Sequence, residues 1–150
     1  MRSLEGRVAV ITGAGRGLGR EHALLFAAEG AAVLVNDLGS EAETVAEEIR
    51  AAGGRAAAST HDVASWSGGQ ALIQQAVEEL GGLDVLVNNA GILRDRMLVS
   101  MSEDEWDAVI SVHLKGHFVP TRFAAAHWRE QAKAGHEVRA SIIHTSSTSG

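Results

Sequence analysis

Nearly continuous apolar runs, many of them rich in β-branched residues, occur four times along the chain, at residues 8–12, 32–37, 84–88 and 141–145. Such runs are typical of parallel strands that are buried on both faces, because half-exposed strands alternate apolar and polar residues. A fifth segment, residues 55–60, is rich in alanine and has little β propensity, so it is predicted as a strand mainly because of its neighbours. The pattern therefore predicts five strands.

Helical patterns with start and stop signals lie between these runs. The first predicted helix covers residues 18–29 and ends at Gly30, because glycine is common just after a helix. Its apolar face is formed by Leu24, Leu25 and Ala28.

Three further helices are predicted to begin at a capping box, in which a serine and an acidic or amide residue three positions later satisfy free N–H groups of the first turn. These candidate boxes are residues 40–43, 67–70 and 102–105. The first two of these helices end at the glycine pairs 53–54 and 81–82.

The last helix is predicted to be long, over residues 105–131, and Pro120 is expected to kink it because proline removes a backbone hydrogen bond. Strands and helices thus alternate along the chain. With right-handed crossovers, this order predicts an α/β fold with a doubly wound parallel sheet and helices on both faces. We expect one domain over residues 1–150.

The composition fits a domain that binds a small molecule. Of the 150 residues, 45% are hydrophobic, which is enough to form a core. The chain has 13 basic and 19 acidic residues, a formal net charge of −6, and no cluster of lysine and arginine. We therefore expect a small-molecule substrate and neither nucleic acid nor a membrane as partner.

The absence of cysteine excludes disulfides and thiolate metal sites and suits a reducing compartment. Residues 1–6 contain no apolar run, and no segment approaches the roughly 18 apolar residues that a membrane span needs. These features predict a soluble protein in the cytoplasm. No metal site is expected, because five histidines lack metal-ligand spacing: His22, His117, His127, His136 and His144.

The loop after the first strand is rich in glycine. Residues 12–19 read Thr-Gly-Ala-Gly-Arg-Gly-Leu-Gly, with glycines at 13, 17 and 19 in the spacing Gly-x-x-x-Gly-x-Gly. Glycine permits positive φ and a close approach to a bulky anion, and the first turn of the next helix points its free N–H groups at that anion. The loop is typical of a pyrophosphate site. An ordinary strand-to-helix turn is the alternative, since the chain has 17 glycines.

Asp37 follows the second strand, 18 positions after Gly19. Dinucleotide-binding folds present an acidic side chain to the adenosine ribose at this place. A carboxylate there accepts hydrogen bonds from both ribose hydroxyls and repels a 2′-phosphate, which favours NAD over NADP. Arg16, inside the loop, would instead attract that phosphate, unless it is only a solvated surface residue. Because of the carboxylate of Asp37, we predict NAD as the cofactor.

Two further segments end strands at the same edge of the sheet, where open α/β sheets bind ligands. Asp62 and Val63 follow the third strand, and Asn89, Ala90 and Gly91 follow the fourth. A turn-forming aspartate and an ordinary strand end are the simpler alternatives. The small and polar residues after the fourth strand permit a ligand to approach closely.

Together, four ordered motifs resemble those of the short-chain dehydrogenase/reductase family. They are the glycine loop at residues 12–19, the Asp-Val pair at 62–63, the Asn-Asn-Ala-Gly sequence at 88–91 and the Ser-Ser-Thr-Ser-Gly sequence at 146–150. The resemblance implies a Rossmann-like three-layer α/β/α fold and an enzyme that transfers a hydride between a nicotinamide and a carbinol or carbonyl carbon. It implies these cofactor-binding residues: Gly13, Arg16, Gly17, Leu18, Gly19, Asp37, Asp62, Val63, Asn89, Ala90 and Gly91.

Within the family, residues 33–39, 91–96 and 112–116 resemble the dehydrogenase part of the multifunctional enzymes of type 2 and their bacterial relatives. Those proteins oxidise (3R)-hydroxyacyl-CoA or hydroxysteroids with NAD. The resemblance therefore implies a 3-hydroxyacyl thioester, such as an acyl-CoA, or a related hydroxy compound as substrate. The 3-oxoacyl-ACP reductases are a less similar group that mostly prefers NADPH, and Asp37 argues against them.

The resemblance implies two catalytic residues in this chain. Ser147, three residues before Gly150, matches the serine that hydrogen-bonds the substrate oxygen, with Ser146 and Ser149 as competitors. Without the upstream motifs, a serine-rich strand end that caps itself would be the better interpretation. His113 occupies the place of the asparagine that holds a water for proton relay, and histidine can also hold a water or move a proton. A histidine that is merely packed or solvated is the alternative.

The family's catalytic Tyr-x-x-x-Lys pair is absent from this chain, which contains no tyrosine. The family places that pair shortly after the serine, beyond Gly150. We therefore expect the chain to be the N-terminal part of a longer enzyme, whose sheet is incomplete at its C-terminal side and leaves the fifth strand as an apolar edge. A non-catalytic dinucleotide-binding module is the rival interpretation.

The aromatic residues suggest a further contact. Trp66, Trp106 and Trp128 are expected in the core or at an interface. The outer face of the long helix, which includes Phe118, Phe123 and Trp128, is expected to pair with a second subunit, as this helix does in dimers and tetramers of the family. Packing within one subunit is the alternative.

Overall fold

The computed structural model describes residues 2–148, and five parallel strands form its centre. The strands are β1 (Val8–Ile11), β2 (Ala32–Asn36), β3 (Arg55–Ser59), β4 (Val85–Asn88) and β5 (Ser141–His144). Their spatial order is β3-β2-β1-β4-β5, with β1 paired to both β2 and β4. The predicted doubly wound α/β fold is therefore confirmed. The alanine-rich β3 is a strand because it pairs along its whole length with β2.

Helices cover both faces of this sheet. They are α1 (Gly17–Ala28), α2 (Glu41–Ala51), α3 (Trp66–Gln75), α4 (Glu103–Ile110) and α5 (Gly116–Lys133). Shorter helical turns are the π-helical turns Ala76–Leu80 and Ser111–Lys115 and the 3₁₀ turn Leu98–Ser100.

The core consists of two apolar clusters, one on each face of the sheet. Alternate residues of β1 contribute to opposite clusters: Ile11 packs with residues of α1 and α2, and Val10 packs with residues of α3 and α5. Both residues are fully buried. Burial on both faces explains why β1, β2 and β4 read as continuous apolar runs.

Helix α1 packs through small residues. Its buried residues are Gly19, Ala23 and Ala27, whereas Leu25 is 59% exposed and Ala28 is also exposed. The predicted apolar face was therefore wrong for these last two residues. Small side chains at every fourth position let α1 lie close to the strand ends, and that approach outweighs the burial of a leucine.

One of the three predicted capping boxes is confirmed. Ser102 Oγ accepts from Glu105 N at 3.2 Å, and Glu105 Oε2 accepts from Ser102 N at 3.0 Å. Ser40 precedes α2 but makes no side-chain cap, so the box at residues 40–43 was wrong. The box at residues 67–70 was also wrong, because Ser65 caps α3 by accepting from Gly68 N. A turn at Asp62, whose carbonyl accepts from Ser65 N, places that serine at the helix start.

The predicted long helix is confirmed as an unbroken run of helical residues, 103–133, that contains one irregular turn. Helices α4 and α5 are joined by the π-helical turn Ser111–Lys115, and Pro120 lies inside α5. The irregularity therefore precedes the proline. On α5, Trp128 is buried and its Nε1 donates to Leu83 O at 2.7 Å, whereas Phe118 is 55% exposed.

None of the helices within residues 2–148 is long and apolar enough to cross a membrane. Over the same described range, no three His, Cys, Asp or Glu side chains are grouped so that they could hold a metal ion.

Thr12 joins the carboxyl ends of β1 and β4. Its buried hydroxyl Oγ1 accepts from Asn89 N at 2.9 Å and from Ala90 N at 3.0 Å, and Thr12 N donates to Val87 O at 3.0 Å. One side chain therefore satisfies two backbone donors of the loop after β4.

We predict that Thr12→Val destabilises the full-length protein. Valine has the same shape but no acceptor, and each buried donor left unpaired costs about 1–3 kcal/mol, so the free energy of unfolding should fall by about 2 kcal/mol or more. Urea denaturation followed by tryptophan fluorescence measures this. The control is Thr12→Ser, which keeps the hydroxyl and loses one methyl group. Equal stability of the two variants would contradict the assigned role.

Candidate functional site

The glycine loop turns the chain sharply from β1 into α1. Gly13 has φ +60° and Gly17 has φ +58°, a left-handed conformation that side chains disfavour. A Cβ on Gly13 would lie 2.8 Å from Ala90 Cα, whereas a Cβ on Gly17 would meet nothing within 4 Å. Gly13 is therefore packed against the loop after β4, and Gly17 faces open space.

Gly19 lies where α1 crosses this loop. A Cβ there would collide with Gly13 O and would lie 2.5 Å from Asn89 Nδ2. No side chain larger than hydrogen fits. Gly19 therefore permits the contact of helix and loop rather than facing a ligand.

The N-terminus of α1 is open. It has no side-chain cap and no acidic residue in its first turn, whereas α3 and α4 are capped by Ser65 and Ser102. Leu18 lies there and is 66% exposed. The positive end of the helix dipole is thus available to an anion.

Asp37 is held beside the loop by a backbone bond. Its Oδ2 accepts from Gly15 N at 3.0 Å, and its own N–H donates to Ser59 O. The neighbouring Asn36 is buried, and its Nδ2 donates to His61 O at 2.9 Å. The carboxylate at the end of β2 is therefore fixed at the edge of the sheet, next to the glycine loop.

Asp62 forms the turn that follows β3. Its Oδ1 accepts from Ala64 N at 2.9 Å, and Val63 is buried. The structure thus shows the turn-forming role for one carboxylate oxygen. Both residues also line the cleft described next.

A cleft of about 780 Å³ brings most of the predicted cofactor residues together. The predicted residues that line it are Gly13, Arg16, Leu18, Asp37, Asp62, Val63, Asn89, Ala90 and Gly91. Gly17 and Gly19 shape the loop beside it. The sequence prediction did not include Leu38, Gly39, Ile92, Leu93 or Val112, which also line the cleft.

The donor set fits a dinucleotide. A glycine loop with an open helix N-terminus suits a pyrophosphate, a carboxylate suits ribose hydroxyls, and apolar residues suit flat rings. A Cβ on Gly17 would meet no atom within 4 Å, so the space beside this part of the loop is open.

Asn89 connects three segments at the floor of the cleft. Its Nδ2 donates to Gly13 O at 3.2 Å, and its Oδ1 accepts from Thr145 Oγ1 at 3.0 Å. The ends of β1, β4 and β5 are thus joined through one amide side chain.

His113 contacts the wall of the cleft. Its Nε2 lies 3.0 Å from Ile92 N and 2.7 Å from Ile92 O, and a Cβ on Gly91 would lie 2.8 Å from its Cε1. The imidazole therefore packs on the backbone of the loop after β4. It holds that loop through one ring nitrogen.

A second cavity of about 710 Å³ contains the other catalytic candidate, Ser147, together with His113. The two cavities share four lining residues: Asn89, Ala90, Ile92 and Leu93. They therefore adjoin. Ser146 also lines the second cavity, while Ser149 and Gly150 lie outside the described residues.

Two histidines that the sequence prediction did not place in the site also line this second cavity. His117 Nδ1 and His144 Nδ1 are 3.2 Å apart, and their rings stack with centroids 5.2 Å apart. Burial lowers the pKa of His117, and the nearby His144 and His113 lower it further. A hydrogen bond with the Ala90 backbone has the opposite, smaller effect on this pKa. Scattered spacing along the chain gave no signal for this pair.

A third cavity, of about 470 Å³, lies at the opposite edge of the sheet, where the strands begin. It contains none of the predicted site residues. Its charged side chains pair with the protein: Arg7 contacts Asp84 and Arg139 contacts Glu137. We therefore assign the site to the carboxyl edge.

The chain is similar to known proteins in sequence and in fold. The family model described as short chain dehydrogenase matches residues 7–150. A short chain dehydrogenase structure from Mycobacterium avium is 57% identical, with a TM-score of 0.95, over 96% of this chain and 55% of that one.

Two curated relatives have informative names. The hydroxyacyl-CoA dehydrogenase ChsB1 of Mycobacterium tuberculosis is 52% identical over 98% of this chain and 49% of its own length. The peroxisomal multifunctional enzyme type 2 of Drosophila melanogaster is 49% identical over 97% of this chain and 25% of its own. The chain thus spans half or less of the length of these two relatives.

These dehydrogenase relatives imply a nicotinamide dinucleotide as cofactor. The family match covers nearly the whole described chain, and the solved structure agrees in both sequence and fold. The chain therefore belongs to the short-chain dehydrogenase family.

Proposed function

We propose that the full-length protein is an oxidoreductase that transfers a hydride between NAD and a secondary alcohol or ketone. The observation that carries this proposal is the shared wall of the two cavities. Asp37 lines the first and Ser147 lines the second, and the cavities adjoin at residues 89–93. A cofactor and a substrate bound in them would lie next to each other.

A bound nicotinamide dinucleotide supplies the hydride acceptor or donor. The loop around Gly17 and the N-terminus of α1 bind its pyrophosphate, and Asp37 accepts hydrogen bonds from its ribose hydroxyls. The turn at Asp62 and Val63 borders the part of the cleft that binds the adenine ring. Asn89, Ala90 and Gly91 keep the floor of the cleft close to the cofactor.

Ser147 hydrogen-bonds the substrate oxygen and stabilises its developing charge. His113 holds the loop through Ile92, and we propose that it also orients a water for proton transfer. The general base is the tyrosine of a Tyr-x-x-x-Lys pair that follows Gly150 in the full-length protein. On this proposal, residues 1–150 are the N-terminal portion of a single longer domain.

The proposed substrate is a 3-hydroxyacyl thioester such as an acyl-CoA. The name of ChsB1, a hydroxyacyl-CoA dehydrogenase, supports this class. The apolar lining residues Ile92, Leu93 and Met101 of the second cavity suit an acyl chain. A cytoplasmic location is also proposed, because a chain without cysteine suits a reducing compartment.

Cofactor choice is tested at Asp37. The full-length protein should bind NADH more tightly than NADPH, and Asp37→Ala should narrow the difference, because like charges in contact cost several kcal/mol, or about a hundredfold in affinity. Tryptophan fluorescence titration measures both ligands. Glu47→Gln, which removes an acidic side chain on the exposed face of α2, is the matched control. Equal affinity of the unaltered protein for NADH and NADPH would refute the assignment, and Arg16 would then favour the phosphate.

The reaction is tested at Ser147. We expect the full-length protein to reduce NAD in the presence of (3R)-hydroxyacyl-CoA, and Ser147→Ala to lower kcat about 10²–10³-fold, as the loss of one donor to a developing oxyanion does. Ser146→Ala is the control and should have the smaller effect. If Ser146→Ala instead caused the large loss, Ser147 would be the wrong serine; NAD binding without any turnover would favour the non-catalytic module.

We also propose a homodimer or homotetramer. Apolar side chains are exposed along α4, the turn after it and α5, where Trp106, Leu114 and Phe118 are all more than half exposed. Light scattering on the full-length protein should give the mass of two or four chains, and Phe118→Lys should lower it because a charge disrupts an apolar interface. A monomeric mass for the unaltered protein would contradict this proposal.

A further inference from the structure

Strand β5 carries Ser147 three residues beyond its last residue, His144. Within residues 2–148, its apolar residues Ile142 and Ile143 are 37% and 47% exposed. Backbone bonds to β4 hold it, among them Thr145 N to Asn88 O at 3.0 Å. The side chain of His144 adds a contact to the helix layer, because it reaches His117 on α5.

The side chains around His144 suit one arrangement of hydrogens in the neutral pair. Asn88 Nδ2 lies 3.3 Å from His144 Nδ1, and its other hydrogen is directed to Thr121 Oγ1 at 3.0 Å. Because the amide nitrogen donates, His144 Nδ1 accepts. His117 Nδ1, at 3.2 Å from the same atom, must then carry a hydrogen and donate as well. In this arrangement the two donors share the single lone pair of one unprotonated nitrogen.

We infer that the contact of His144 with His117 and Asn88 positions the carboxyl end of β5, and with it Ser147, and that the contact requires at least one of the two facing Nδ1 atoms to carry no proton. If both Nδ1 atoms carried a proton, two N–H groups would face each other and neither imidazole would offer the other an acceptor. One imidazole would have to turn away, and the end of β5 would lose its attachment to α5.

The surroundings of the pair disfavour a second positive charge. His113 lies on the turn before α5 and lowers the pKa of His117, in addition to the larger effect of burial. From the loop after β4, Arg94 and Asp95 line the same cavity. Because the pKa of His117 is lowered in the folded state, folding favours the neutral ring. The contribution of this ring to the stability of the fold is therefore complete above the ordinary pKa of histidine and is lost as the pH falls below it.

The kinetic test rests on the proposed function and uses ketone reduction by the full-length enzyme. In this direction the catalytic tyrosine must be protonated, so a lower pH keeps this residue in its active form. We expect kcat to fall as the pH is lowered from about 8 to about 5, where imidazole titrates. The fall should be absent in His144→Asn, whose Oδ1 replaces the accepting nitrogen and takes up no proton in this range.

A second variant separates positioning from cofactor binding. His144→Leu removes the acceptor at every pH, so kcat should fall about ten- to a hundredfold through misplacement of Ser147. KM for NADH should be unchanged, because His144 does not line the cofactor cleft. His127→Asn, farther along α5 and outside the second cavity, is the control and should keep the wild-type pH profile. A persistent acid fall in His144→Asn, or full activity of His144→Leu, would overturn the inference.

Nitrogen-15 NMR of the imidazoles provides a readout that needs no activity. The signals of His117 and His144 should change together with pH, because protonation of one alters the hydrogen bond of the other, while His127 changes separately. Independent titration of His117 and His144 would refute the contact even in an active enzyme. A coupled pair in a protein without dehydrogenase activity would instead reject the proposed function and leave the contact standing.

Discussion

The site depends on how closely the carboxyl ends of β1 and β4 approach each other. Thr12 Oγ1 accepts from two backbone N–H groups of the β4 loop, and Gly13 packs against Ala90 with no room for a Cβ. Helix α1 crosses the same point through Gly19. Any side chain at either glycine would push helix, loop and strand end apart, so the floor of the cleft exists only because these positions carry no side chain.

Histidines join the outer parts of the site to this floor. His113 packs on Gly91 and bonds the Ile92 backbone, and His117 reaches His144 at the end of β5. All three imidazoles lie around the second cavity, which adjoins the cleft that Asp37 lines. Buried Asn88 lies beneath them, and its Oδ1 has no partner among the described residues. Since a buried amide oxygen is costly to leave unpaired, the polar network at this point is a place where small changes have large effects.

Most of the fold follows from local patterns in the sequence. Strands buried on both faces leave continuous apolar runs, and the glycine loop marks where the first strand turns into a helix. Helix details were less predictable. Leu25 is exposed because tertiary packing selected the small residues of α1, and Ser65 rather than Ser67 caps α3 because an upstream turn sets the helix start.

Local sequence patterns could not predict contacts between residues that are far apart in the chain. The cleft residues near the glycine loop could be predicted because each follows a strand, and strand ends meet at one edge. Thr12 was part of the motif, but its two bonds to the β4 loop depend on a separation of 77 and 78 residues. His117 and His144 are 27 residues apart and belong to different layers, so only the packed structure brings their rings together.

The central claim is that the edge where β1 and β4 meet binds a nicotinamide dinucleotide beside Ser147. A crystal structure of the full-length protein grown with NADH tests it most directly. The account predicts the pyrophosphate on the N–H groups at the start of α1, the adenosine ribose on Asp37 and the nicotinamide at the wall between the two cavities. NADH bound elsewhere, or bound with its ribose away from Asp37, would contradict the account.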